Sequence, residues 1–262
     1  MQILNIAGYK FITLTDLLTL QTYFQQIGND LALKGTILLS SEGINLSLAG
    51  HATHLSKFKT ILQNNEFFPD IVFRESYSTH LPFKRFKVKI KDEIITFRQS
   101  HIQPEKQRVQ NITPEQFKQW LDEDRDITVL DTRNAYEVKF GAFKKAIHLN
   151  TKDFTEFGEA SKHLKKDKPI VMYCTGGIRC EKAGLHLLNN GYSEVFQLEG
   201  GILNYFAKVN GSHYNGECFV FDERISLDSN LEITGTTQCK QCQGPIKPSE
   251  QTCCSACLSH LN

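Results

Sequence analysis

The sequence predicts an α/β protein made of two successive units and a short cysteine-rich tail. Three observations carry that reading. Through residues 1–100 the apolar runs follow the order strand, helix, strand, strand, helix, strand. From Thr113 onward short apolar runs alternate with helical stretches, as in a parallel sheet. Five of the eight cysteines fall in the last 24 residues, a redox or metal distribution unlike a secreted disulfide framework. At 262 residues the chain can bury two cores. The boundaries read as 1–100, 111–208 and 209–262, with the polar, proline-containing stretch from Ser100 to Asn111 as a linker.

In the first unit Ile3 to Tyr9 reads as a strand and Leu17 to Ile27 as a helix stopped by Gly28. Gly35 to Ser40 and Ile44 to Ala49 are strands joined at Ser41-Glu42-Gly43, a hairpin signal. A helix from about Thr53 to Leu62 follows, then strands near Ile71 to Glu75, Arg85 to Ile90 and Ile94 to Phe97. That order is a ferredoxin-like sandwich, similar in architecture to acylphosphatase. No Gly-rich loop with an arginine suggests acylphosphatase activity here. Arg85, Lys87, Lys89 and Lys91 alternate with Phe86, Val88 and Ile90, so the basic side chains share one face of a strand. From His80 to Arg108, eight Lys/Arg against three acids leave a local balance of +5, whereas the whole chain carries only +1. Any affinity for nucleic acid must therefore come from such a patch. The stripe suits a phosphate backbone, and equally suits a solvated edge strand guarded by lysines.

The second unit opens with Thr113 as N-cap, Pro114 at the first helical position and Gln116 closing a capping box. Phe117, Trp120 and Leu121 form its buried stripe. Ile127 to Leu130 is a strand ending at Asp131-Thr132-Arg133. A helical turn from Tyr136 to Phe140, a strand near Ala146 to Leu149 and a helix around Phe154 to Leu164 follow. Ile170 to Tyr173 is an apolar run of the kind buried on both faces. The helix after it ends at Gly191, and Glu194 to Gln197 is a strand before Gly200-Gly201 and a last helix. Ligands of such sheets bind at the strands' carboxyl ends, where Asp131, Arg133 and Cys174 sit.

Cys174 ends a strand, and a six-residue loop is expected to lead from it into a helix. Gly176 and Gly177 let that loop curl its N–H groups inward, an anion-binding nest at a helix N-terminus. Thiols so placed have pKa values of roughly 3.5–7.5. Arg179 adds a positive charge at the mouth. A cysteine-dependent phosphatase uses a wider loop, with its arginine six places after the cysteine; here that place holds Cys180. The narrower loop resembles that of rhodanese domains, in which the cysteine carries a persulfide. VLDTRNAYEVKFGAFKKAIHLN, YCTGGIRC and LEGGILNY extend the resemblance from Thr113 to Lys208. It implies that Asp131 and Arg133 brace the loop rather than react.

Adding GTILLSSEGINLSLAG and FVFDERIS, the chain resembles the tRNA wobble-uridine hydroxylase family over almost its whole length. The resemblance implies tRNA as partner, molecular oxygen as co-substrate, no organic cofactor and 5-hydroxyuridine as product. Cys174 is then the reactive thiol, with Arg179 and Cys180 beside it. Cys180 either resolves an oxidised Cys174 or packs the helix. Two other readings stand beside this one: a sulfurtransferase carrying a Cys174 persulfide, and a non-catalytic tRNA-binding or redox-sensing module.

Cys218 leads into Phe219-Val220-Phe221-Asp222, an apolar run expected to pack on the second unit. The pairs Cys239/Cys242 and Cys254/Cys257 form a zinc signature, with Cys253 spare. An oxidisable tail and a redox relay are the alternatives. The N-terminus lacks a basic start with an apolar run, and no stretch approaches ~18 apolar residues. A soluble, cytoplasmic protein is expected.

Overall fold

The structure is a computed structural model describing residues 2–250 and Cys257. It divides into two units between Gln107 and Arg108. In the first, β1 (Ile3–Phe11), α1 (Leu17–Asp30), β2 (Lys34–Ser40), β3 (Gly43–Gly50), α2 (Ala52–Gln63) and β4 (Phe73–Ser78) realise the expected order. The sheet runs β4-β1-β3-β2, with β5 (Phe86–Ile90) added beside β2. β5 lies parallel to β2, while the other pairs are antiparallel. Period-2 alternation sends Leu4, Ile6, Ile37, Leu39, Leu46 and Leu48 to one face. There they meet Phe24 of α1 and Leu55, Phe58 and Leu62 of α2, spaced so that each helix turns one stripe inward.

β5 is an edge strand, and α1 closes its outer side. Gln21 Nε2 donates to the Val88 carbonyl at 2.9 Å, and the Val88 N–H donates to Gln25 Oε1 at 3.1 Å. Two amide side chains thus stand in for a further strand. The strand expected at Ile94 to Phe97 is absent. Glu93 instead accepts the N–H groups of Phe97 and Arg98, at 2.9 and 2.8 Å. Arg98 adopts φ +61°, so the segment turns while still burying Ile94 and Phe97.

The second unit is a five-stranded parallel sheet in the order β6-β11-β10-β7-β9. Its strands are β6 (Gln110–Ile112), β7 (Thr128–Asp131), β9 (Ile147–His148), β10 (Ile170–Tyr173) and β11 (Val195–Leu198). β8 (Gly141–Phe143) pairs instead with β12 (Tyr214–Gly216) of the C-terminal extension. The helices are α3 (Pro114–Asp122), α4 (Ala135–Val138), α5 (Phe157–Ala160), α6 (Ile178–Asn189) and α7 (Gly201–Val209). The capping box forms as expected: Thr113 Oγ1 accepts from Gln116 N, and Thr113 N donates to Gln116 Oε1, both at 3.2 Å.

Two further expectations need correction. The stretch taken as a linker supplies β6 and buries Ile102 and Val109. The helix expected from Phe154 to Leu164 is one turn of α-helix between two 3-10 turns. There Ser161 Oγ bonds back to the Gly158 carbonyl, the local competition that serine offers a helix. Beyond β12 come β13 (Cys218–Phe219), β14 (Ser226–Leu227), β15 (Thr237–Gln238) and β16 (Pro245–Ile246).

Candidate active site

Every residue of β10 is buried, and Cys174 follows it directly. α6 begins at Ile178, so the loop proper is Cys174–Gly177, shorter than expected, and Arg179 and Cys180 occupy the helix's first turn. Gly177 is the N-cap at φ +100°, a conformation that favours glycine. Its N–H donates to Cys174 Sγ at 3.1 Å. Gly176 keeps its φ outside the left-handed region, and a Cβ there would meet nothing within 4 Å. Its place in the loop is the open side. The rear is closed by Gly201 at φ +64°, where a Cβ would stand 2.3 Å from the Cys174 carbonyl. That approach lets Ile202 N and Leu203 N donate to the carbonyls of Cys174 and Thr175, at 2.9 and 3.1 Å.

Burial alone pushes the Cys174 thiol up. The Cys180 thiol, the Arg179 guanidinium and the N–H groups of Arg179 and Gly177 together outweigh burial and bring it down to about 5. Cys180 shifts the other way, well above its ordinary value, through its own burial and the neighbouring Cys174. One of the two thiols therefore ionises and the other keeps its proton to donate. Thr132 Oγ1 lies 3.6 Å from Cys180 Sγ and donates to the Tyr173 carbonyl at 3.0 Å. A third buried thiol, Cys218, is pushed up to about 12 by burial.

Arg179 is not an open charge at the mouth. Its Nη1 and Nη2 donate to Glu137 Oε2 and Oε1 at 2.6 and 2.8 Å, and both side chains are buried. Glu137 also accepts from Asn134 N at 3.0 Å and Thr175 Oγ1 at 3.4 Å. Sequence reasoning missed Glu137, whose partner lies 42 residues away. Its place three residues after Asn134, in a short helical turn, was the only local signal. The central carbon of the guanidinium lies over the Phe221 ring, 5.8 Å from its centroid.

Asp131 and Arg133 form a fully buried pair through Arg133 N, Nε and Nη2. Burial would raise Asp131, but Arg133 holds it below the usual carboxylate range. Arg133 reaches on to the Gly141 carbonyl at 2.7 Å and Tyr214 Oη at 3.4 Å. The pair thus fastens β7 to β8 and the C-terminal extension, and Thr132 between its members touches the reactive segment.

In the tail, the sulfurs of Cys239, Cys242 and Cys257 lie within 4.8 Å of one another. Cys239 and Cys257 are 4.0 Å apart, about twice a disulfide bond. Thiolates bound at about 2.3 Å around one tetrahedral ion stand roughly 3.8 Å apart. The cluster can hold a metal ion. Cys254, the expected fourth ligand, lies outside the described residues, as does Cys253. Lys139, just past α4, donates to the Cys242 carbonyl at 2.8 Å.

In the first unit Arg85, Lys87, Lys89 and Lys91 are exposed along β5 and its ends, while Val88 is buried. Among the described residues no helix is long and apolar enough to cross a membrane.

Residues 3–94 match the UPF0176 acylphosphatase like domain, and residues 113–208 the Rhodanese-like domain. The chain is 47% identical to a tRNA uridine(34) hydroxylase of Cupriavidus metallidurans, over 96% of this chain and 92% of that protein. A protein of the same name from Paraburkholderia xenovorans is 42% identical with the same coverage. Among solved structures, a rhodanese-like domain from Anabaena is 24% identical, with TM-score 0.35 over 40% of this chain and 78% of that one. A rhodanese-like domain protein of Staphylococcus aureus is 23% identical, with TM-score 0.34 over 37% and 91%.

Proposed function

The chain belongs to the tRNA uridine(34) hydroxylase family, and from that premise we propose that it converts the wobble uridine of tRNA to 5-hydroxyuridine with Cys174 as nucleophile. One observation carries the assignment of Cys174. It is the thiol that the Gly177 N–H, Cys180 and Arg179 together make a thiolate near neutral pH. The thiolate adds to C6 of uracil, and C5 becomes electron-rich. C5 then attacks an oxidant at the peroxide level, two-electron-reduced dioxygen. The C5–O bond forms as the O–O bond breaks, and the second oxygen leaves as hydroxide. Loss of the C5 proton and expulsion of the thiolate restore the ring double bond, so C5–H becomes C5–OH and one water forms.

Arg179 acts here by its field on the thiolate, because both terminal nitrogens are committed to Glu137. Cys180 is the thiol that hydrogen-bonds the anion. The tail cluster suits zinc, a thiolate-preferring ion, with Cys239, Cys242 and Cys257 as ligands and Cys254 as the fourth. A tRNA substrate supports a cytoplasmic setting.

The exposed stripe Arg85, Lys87, Lys89 and Lys91 is the surface we assign to the tRNA backbone. Lys87→Glu with Lys89→Glu should weaken tRNA binding and flatten its dependence on salt. Unchanged affinity across a salt titration would reduce the stripe to edge protection. The function itself is tested by nucleoside mass spectrometry of tRNA from a strain lacking the gene. 5-Hydroxyuridine should vanish there and return with the wild-type gene; undiminished 5-hydroxyuridine would overturn the reading.

A further inference from the structure

The run Phe219-Val220-Phe221 was expected to pack inward, and two of its three residues do. Phe219 is 6% exposed and Val220 4%, but Phe221 is 58% exposed. It is nevertheless tightly held. Its ring meets Phe219 edge-on at 5.3 Å between centroids and lies over the Arg179 guanidinium. The next residue, Asp222, accepts from Arg224 N, Nε and Nη2, and that pair is almost wholly shielded. Val220 N donates to the Ile225 carbonyl at 2.8 Å, with Ile225 at φ +65°. A β-branched residue rarely adopts that conformation, and such strain concentrates at functional sites. A buried ion pair and a strained turn thus fix one exposed aromatic ring against the arginine that acts on Cys174. Shielding Arg179 alone would not require leaving most of the ring in solvent.

We infer that Phe221 is the stacking platform for the substrate's pyrimidine, holding the base over the open side of the Cys174 loop at Gly176. This rests on the hydroxylase reading above. A wobble base lies in a single-stranded loop, and unstacked bases are received on aromatic faces. Arg179 lies over the ring and Phe219 packs against it T-shaped, yet more than half of the residue stays exposed and can receive a base. Gly176 presents no side chain toward the approach. The Glu137–Arg179 pair behind the ring keeps the charge that would otherwise compete for the pyrimidine carbonyls committed within the protein.

Two measurements test this. The first is steady-state hydroxylation of an anticodon stem-loop. Phe221→Ala should lower kcat/KM roughly 5- to 150-fold, the loss of one base–aromatic stack. Phe221→Tyr should recover most of that, and the iodoacetamide reaction of Cys174 should proceed in Phe221→Ala as in wild type. Gly176→Ala, which meets no neighbour in the protein, should also lose kcat/KM while unfolding at the wild-type temperature. The second uses Phe221→Trp with Trp120→Phe, Trp120 being the one native tryptophan. Its fluorescence should be quenched by a stem-loop with uridine at the wobble position and not by one abasic there. Phe221→Ala within twofold of wild type, or equal quenching by the abasic stem-loop, would overturn the platform. Wild-type protein that fails to hydroxylate the stem-loop would instead overturn the hydroxylase reading beneath it.

Discussion

Two thiol clusters lie in the second unit, and they are built in opposite ways. Around Cys174 the backbone does the work: a fully buried strand, a left-handed glycine cap, a helix start and the close approach of Gly201. Among the described residues, Cys239, Cys242 and Cys257 share their small core with Ile246, beside two strands of two residues each. At the first site the fold fixes the chemistry of the thiol. At the second, the three thiols stand close enough to hold a metal ion, and on the zinc proposal the metal would fix the fold.

The contrast breaks most sharply at Cys174 itself. Cys174→Ser should abolish hydroxylation with the fold intact, because a hydroxyl of similar size does not ionise near neutral pH. Retained activity in a discontinuous mass-spectrometric assay would remove the nucleophile from the account. Glu137→Ala should come next, leaving Arg179 as an unpaired charge in a buried site. Breaking such a pair costs about 3–5 kcal/mol, read as a lowered midpoint in denaturant; a loss under 1 kcal/mol would show that Arg179 finds water or another partner. Chelation is the smaller, local effect. It should release about one zinc per chain and open the segment around Cys239 and Cys242 to protease, while the Cys174 reaction rate stays unchanged. Metal-free protein with a resistant tail would reverse the contrast.

The parts of this structure legible in the sequence are those with local causes. Strand and helix order followed from periodicity, the start of α3 from the Thr113-Pro114-Gln116 signal, and the tight loop after Cys174 from glycines beside a cysteine at a strand end. What escaped depends on partners distant in the chain. Arg179 looked like a free cation because nothing near it announces Glu137. Ile94 to Phe97 looked like a strand because the apolar pattern is blind to Glu93 capping the backbone of Phe97 and Arg98. Phe221 looked like core because apolar runs usually are, and only the turn locked by Asp222 and Arg224 rotates it outward.

The central claim is that this fold makes Cys174 a thiolate by donating to it. It is tested most directly by the pH dependence of Cys174 alkylation by iodoacetamide, followed at the Cys174 peptide by mass spectrometry. An acid with a lowered pKa gains its reactive form as pH rises through the lowered value, so the rate should rise through a midpoint near 5 and be flat by pH about 7. In Cys180→Ala the midpoint should move upward, since the hydrogen bond from that thiol is lost. A wild-type midpoint near the ordinary cysteine value of about 8.5, unmoved by Cys180→Ala, would contradict the account.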